Sequence, residues 1–282
     1  MKISTLILHY NNPSSLNNTI LNIVKNGFDP LAITVFDNCS DKMHAQRGRE
    51  IAVRLGCQWE ESLINRGWGA AINFYLNSKS WKSDDILMIS AHDAIINEVN
   101  IEKIKSSFRD RNVVFISPQY PDPLVCTYST SRSFKAFAGS APTDGVVVIG
   151  HATLCLARVN FLINHPFDEE FFIYGCESEI YLRAHDKGFT TLLPNDFIVS
   201  NPTTDTSNEF RDLAFTINSF YLAKKRGGYF SFLLRLFVVT ISIIKLITYG
   251  KLAEAKIKAR SLLYSLMNPG LGFAGFIKKN KI

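Results

Sequence analysis

The chain of 282 residues has only five cysteines, Cys39, Cys57, Cys126, Cys155 and Cys176, and no two of them stand at a C-x-x-C spacing. That scarcity argues against a zinc site and a disulfide framework and fits a reducing compartment. Uncharged apolar runs of membrane-spanning length are missing too. The strongly apolar stretch 229–249 is interrupted by Arg235 and Lys245, and the nine residues between them fall short of the ~20 that a bilayer-crossing helix needs. No Gly-rich phosphate loop with a basic partner follows the first apolar run, which argues against a nucleotidyltransferase. Internal repeats and low-complexity tracts are absent. At the N-terminus, residues 3–8 lead directly into His9-Tyr10-Asn11-Asn12 with no small-residue cleavage pattern, so they read as a first strand and not as a signal peptide.

What is present is a chain with 46% apolar and 20% charged residues, enough for a substantial core and unlike a disordered protein. Its net charge of +6 is concentrated at one end. From Tyr221 onward there are 12 Lys or Arg against a single acid, Glu254, while the preceding residues carry 19 bases and 24 acids. Lys224, Lys225 and Arg226 before the apolar stretch, and Lys251, Lys256, Lys258 and Arg260 after it, suit a helix lying on an anionic membrane surface. A helix packed on the rest of the chain, or on a second subunit in a homodimer, is the rival. The bases flank aliphatic runs and form no polar patch with exposed aromatics, so nucleic acid is not the expected partner.

Strand-like and helix-like stretches alternate. Strands are expected at 3–8, 33–36, 57–60, 86–89, 146–149, 153–156, 189–193 and 197–199, with helices starting at Asn12-Pro13 and over 43–55 and 70–77. Residues 118–144 and 201–208 read as loops, and the chain turns helical from Glu209. This βαβα order predicts an α/β fold with a largely parallel sheet, whose ligands gather at the carboxyl ends of the strands. Two domains are expected, a sheet domain over 1–208 and a basic, apolar helical tail over 209–282.

Polar residues directly after the first, second and fourth strands are therefore the ones placed to meet a nucleotide: His9-Tyr10-Asn11, Asp37-Asn38 and His92-Asp93. Asp37 could accept from a pyrimidine N–H and Tyr10 could pack on the base; Asp37-Asn38 as a plain turn is the other reading. Later, Phe167-Asp168-Glu169-Glu170-Phe171-Phe172 leads into Cys176-Glu177-Ser178-Glu179, Arg183 and Gly188. Here an aromatic stretch meets a helix that opens with two carboxylates. The first turn of a helix favours acids whatever the function, so a purely structural role stands beside a catalytic one.

These blocks, in this order, resemble family 2 glycosyltransferases of the GT-A type, in particular the rhamnosyltransferase-like branch, over residues 3–208. Tyr10-Asn11, Val35-Phe36-Asp37-Asn38-Cys39-Ser40 and Asn65-Arg66-Gly67-Trp68-Gly69-Ala70-Ala71-Ile72-Asn73 are similar to the family's donor blocks. The resemblance implies a GT-A fold with a mostly parallel, Rossmann-like sheet and a C-terminal helical extension. It implies transfer, with inversion, of a sugar such as rhamnose from a nucleotide-diphosphate donor (a dTDP- or UDP-sugar) to a hydroxyl of a glycan or lipid-linked glycan acceptor in a growing bacterial surface polysaccharide. Tyr10, Asn11, Asp37, Asn38, Asn65, Arg66, Gly67, His92 and Asp93 would bind the donor. Arg66 would use its fork of donors on the diphosphate. Asp93, with Asn201 as a second contact, would bind Mg²⁺ or Mn²⁺, and Glu177 would be the catalytic base. His151, Glu179 and Arg183 would line or support the acceptor side, Arg183 as an i,i+4 partner of Glu179. The enzyme would be cytoplasmic and peripheral on the inner face of the plasma membrane. The chain departs from the family pattern at Ala91, where the metal motif has Asp or Asn, at Cys176, where an acid precedes the base, and at Asn201. These departures motivate the rival of a non-catalytic nucleotide- or glycan-binding scaffold.

Overall fold

The computed structural model describes residues 2–120, 145–151, 153–201 and 207–280. From residue 121 on, the loop expected over 118–144 lies outside them, as do residues 202–206 of the loop expected over 201–208. The chain divides into two compact units: Met1–Arg66, Ala71–Phe167 and Ile180–Thr204 form one, and Gly67–Ala70, Asp168–Glu179 and Asp205–Ile282 the other.

In the first unit the elements in chain order are β1 (Ile3–His9), α1 (Pro13–Lys25), β2 (Ile33–Asp37), α2 (Lys42–Arg54), β3 (Gln58–Glu61), α3 (Trp68–Asn77), β4 (Ile86–Ala91), β5 (Ile95–Val99), α4 (Ile101–Ser107), β6 (Val113–Ile116), β7 (Val146–Val147), β8 (Leu154–Arg158), α5 (Val159–Asn164), α6 (Cys176–Asp186), β9 (Thr190–Leu192) and β10 (Phe197–Ser200). The opening residues of α3 and α6 belong to the second unit. β1 is buried along nearly its whole length, as expected for a strand covered on both faces. It sits inside an eight-stranded sheet of order β3-β2-β1-β4-β8-β6-β9-β7.

The half from β3 to β4 is entirely parallel. β8 then runs antiparallel between β4 and β6, and β7 antiparallel on β9. Strand direction is not written in composition, so the sequence could not show this mixture. The guanidinium of Arg158, at the end of β8, is buried and donates to the carbonyls of Phe108, Asp110 and Val113, which ties that strand end to the turn before β6. Side chains including Ile7, Leu16, Ile20, Ile33, Val35 and Met88 pack α1 and α2 onto the sheet.

α1 starts as its sequence predicts: Asn12 accepts from Ser15 N, and Pro13 sits in the first turn. The helix is then pinned by two side chains. Thr19 Oγ1 donates to His92 O at 2.7 Å, and Asn22 exchanges two hydrogen bonds with the backbone of Ile96. The chain runs outward from β1 through β2 to β3 and then crosses back to β4 on the other side of β1, so the strand order switches between β1 and β4. The carboxyl ends at such a switch are the usual ligand position in these sheets. A separate antiparallel pair, β5 with β10, places Ser200 opposite Ile95.

The second unit is helical: α7 (Asn208–Thr248), α8 (Leu252–Met267) and α9 (Phe273–Asn280), with the segment before α6. α7 is two arms broken at Gly228, whose φ of 64° and ψ of −159° only glycine adopts readily. The arms fold back on one another, since Arg235 Nε donates to Ser219 Oγ and the rings of Phe220 and Phe232 lie 5.4 Å apart. A second reversal at Gly250, φ 73°, brings Lys258 onto Ser242. The second arm exposes Phe230, Leu233, Leu234, Phe237, Val238 and Ile244. By length and composition α7 is long and apolar enough to cross a membrane.

Candidate functional site

The register His9↔Asp37 between two parallel strands places two polar side chains together at the sheet's carboxyl edge. His9 is fully buried and its Nδ1 meets Asp37 Oδ1 at 2.7 Å. Ser40 Oγ donates to the same oxygen at 2.5 Å and Ser40 N to Oδ2 at 3.0 Å. Burial alone would raise the Asp37 pKa, but these bonds from His9 and Ser40 outweigh it and hold the carboxyl below its ordinary value. Asp37 is only 2% exposed, and both its oxygens serve the fold.

The neighbouring candidates join the same network. Asn11, at a φ of 53°, receives Asp41 N on its Oδ1 and donates its N–H to Ser40 Oγ. Asn38 N donates to His9 O; its side chain donates to Asn65 Oδ1 and accepts from Arg66 N. Arg66 Nε donates to Ser62 Oγ, and its guanidinium lies 3.9 Å over the Phe74 ring. Tyr10, 46% exposed, is a large aromatic left open beside this network, as is Phe74.

The turn after β4 carries His92 and Asp93, both half-buried. His92 Nδ1 lies 3.2 Å from Leu8 O, and since a carbonyl only accepts, this nitrogen carries the proton. The β5–β10 pair ends with Ser200 opposite Ile95, so Asp93, two residues before Ile95, and Asn201, directly after Ser200, both flank the same end of that pair. Among the described residues no three His, Cys, Asp or Glu side chains gather around one point. A single carboxylate with an amide nearby fits a divalent cation that shares its shell with phosphate oxygens and water, and does not fit a cation caged by protein ligands.

His151 lies elsewhere in this unit. Its ring is 3.9 Å from that of Tyr120, its N–H donates to Ser117 Oγ and its carbonyl accepts from Tyr181. Burial pushes the imidazole down to about 4, so it is neutral near pH 7 and accepts from Thr153 N. Arg183 donates to Pro166 O at 2.7 Å.

In the second unit Glu177, half-buried, stands in the first turn of α6. The buried thiol of Cys176, pushed well above its ordinary pKa by desolvation and by the Glu177 charge, stays protonated and donates to Glu177 Oε2 at 3.2 Å. Glu179 is 2% exposed, and its Oε1 lies 3.1 Å from Lys225 Nζ, which also bonds Asp168 Oδ2 at 2.6 Å. Tyr221 donates to the same Asp168 oxygen, and burial together with that carboxylate pushes its own pKa well above the ordinary value. Gly67, at a φ of 76°, packs against Phe172 O so closely that any Cβ would collide with it, and Trp68 N donates to that oxygen. Sequence reasoning named His9 and Ser40 but not their bonds to Asp37, and it missed Asn218 and the pairing of Lys225. The register of β1 with β2 is what joins His9 to Asp37; for Lys225 there was no signal.

The fold so described, a mixed α/β sheet flanked by helices with a C-terminal helical extension, is that of GT-A-type glycosyltransferases. The mannosyltransferase PcManGT from Pyrobaculum calidifontis, solved in complex with GDP-Man and Mn2+, superposes with a TM-score of 0.60 at 14% identity over 95% of this chain and 81% of its own. GalNAc-T7 with UDP, GalNAc and Mn2+ gives 0.59 at 13% identity over 78% of this chain, which spans 51% of that protein. Residues 1–349 of S. aureus TarS give 0.50 at 14% identity over 95% and 91%. No family model and no curated protein matches the chain.

Proposed function

We propose that the protein is an inverting glycosyltransferase that moves a sugar from a nucleotide-diphosphate donor, a dTDP- or UDP-sugar with rhamnose as the first candidate, to a hydroxyl of a growing bacterial surface polysaccharide. The observation that carries this reading is the shared fold over 95% of the chain with PcManGT, a protein that holds GDP-Man and Mn2+. It is supported by the polar network at the carboxyl ends of β1 and β2 and by a carboxylate at the start of α6.

In this reading the His9–Asp37–Ser40 network shapes the turn that presents Tyr10 to the base, while Asn38 seats Arg66 for the diphosphate. Asp93, with Asn201, donor oxygens and water completing the shell, would hold Mg²⁺ or Mn²⁺, whose charge would offset that of the departing diphosphate. Glu177 takes the proton from the acceptor hydroxyl, and the Cys176 thiol orients its carboxylate by donating to one oxygen. His151, neutral at working pH, is assigned to the acceptor side as a hydrogen-bonding group. The exposed apolar face of α7 with its flanking lysines is read as a seat on the anionic inner face of the plasma membrane, with a homodimer contact as the competing use.

The base assignment is tested by Glu177→Gln. The expected result is transfer reduced by about 10²–10⁴-fold with donor binding retained. Unchanged transfer removes Glu177 from the role.

A further inference from the structure

The segment that delivers the chain into α6 is held in a conformation it would not adopt alone. Phe172 has φ 57° and ψ −63°, and Ile173 N donates to Phe171 O at 2.6 Å. This is a γ-turn of the rare, strained hand. Tyr174 follows at φ 58° and Gly175 at φ 92°. Non-glycine residues in such regions are strained and persist only where the surroundings over-determine them.

One side chain supplies most of that determination. Asn218, 2% exposed in the first arm of α7, points its amide nitrogen at three carbonyls of the segment: Phe171 O at 2.9 Å, Ile173 O at 2.7 Å and Tyr174 O at 2.7 Å. The remaining carbonyl, Phe172 O, takes Trp68 N at 2.6 Å. Asn218 Oδ1 is fixed in turn by Phe273 N at 2.8 Å, at the start of α9, where Gly272 lets the backbone lie against Glu170 O. Gly175 O then accepts from Glu179 N, which begins the turn of α6 that bears Glu177.

We infer that Asn218 is a positioning residue for the transfer step: through three carbonyls it holds the strained turn that aims Glu177. The inference rests on the function proposed above. It gives the C-terminal helices a second task besides any surface contact, because α7 and α9 together fix the geometry from which Glu177 works. A base displaced by about 1 Å loses ~10²-fold in rate, so the effect belongs in kcat.

The test compares the full-length wild type with Asn218→Asp, which keeps the shape but turns the donor into an acceptor facing three carbonyls, and Asn218→Ser, which adds no charge. Amide hydrogen exchange is read at Trp68, Ile173 and Glu179 with β1 as the internal control, and turnover is read on whichever nucleotide sugar a UDP-, dTDP- and GDP-sugar panel shows the wild type to consume. The expected result is exchange at least tenfold faster at Trp68 and Ile173 with β1 unchanged, and kcat down 10–100-fold with donor KM within twofold. Unchanged exchange in a folded variant overturns the clamp. Faster exchange with unchanged kcat overturns the positioning role while leaving the glycosyltransferase reading intact. A wild type that consumes no nucleotide sugar counts against the proposed function itself and takes the positioning role with it.

Discussion

Replacing Lys225 by Met should destabilise the protein by about 2–3 kcal/mol at neutral pH. Lys225 Nζ bridges Asp168 Oδ2 at 2.6 Å and Glu179 Oε1 at 3.1 Å, and the two carboxylates are 13% and 2% exposed. Removing one partner of a buried pair leaves an uncompensated charge and typically costs about 3–5 kcal/mol. Lys225 is itself 35% exposed, so water can reach the vacated space and the lower figure applies. In a chain of this size the loss corresponds to a fall in Tm of roughly 5–10 °C.

The sign of the pH dependence follows from Asp168. Burial would raise its pKa, but Lys225, the Glu170 N–H and Tyr221 outweigh that and hold it below the ordinary value. A carboxyl lowered on folding stabilises above its unfolded pKa, and that stability is lost as pH falls through the folded pKa. The deficit of the Met variant should therefore be largest near pH 7 and shrink once Asp168 is protonated. Thermal or urea melts of both proteins between pH 7 and pH 3 read this directly. An unchanged Tm at pH 7, or a deficit equal at both ends, would refute the ion-pair reasoning.

Two further outcomes follow from the same geometry. Gly67→Ala forces a Cβ into Phe172 O at a positive φ, and urea denaturation should show a loss of about 2–4 kcal/mol; a loss under 1 kcal/mol would contradict the close approach. Replacing Phe230, Leu233 and Phe237 together by Ser should abolish co-sedimentation with vesicles containing anionic phospholipid while leaving the melting temperature within a few degrees, because all three are exposed; retained binding would remove that face from the membrane role.

β1, β2 and β4 were legible because each is a short apolar run closed by polar residues, as at Ile33–Asp37 before Asn38, whereas β3, Gln58–Glu61, was marked only by its place after Gly56. β5 and β6 went unread although Val113-Val114-Phe115-Ile116 carries an evident apolar signal. The antiparallel entry of β8 could not be read, since a strand's composition is the same in either direction. The break in α7 had its mark in Gly227-Gly228, but an apolar pattern continuing on both sides hid the reversal. Among the candidate residues, those next to strand ends could be named because topology puts them at one edge. Asn218 was invisible: a single polar residue in a helix gives no sign that three carbonyls 44–47 positions earlier converge on it.

The most direct measurement for the central claim is binding and hydrolysis of a nucleotide-sugar panel, with and without Mn²⁺, by the full-length protein. The account predicts that at least one dTDP- or UDP-sugar binds and is slowly consumed, more strongly with Mn²⁺, and that Asp93→Ala removes the metal-dependent part. Absence of binding to every nucleotide sugar in the panel, under both conditions, would contradict it.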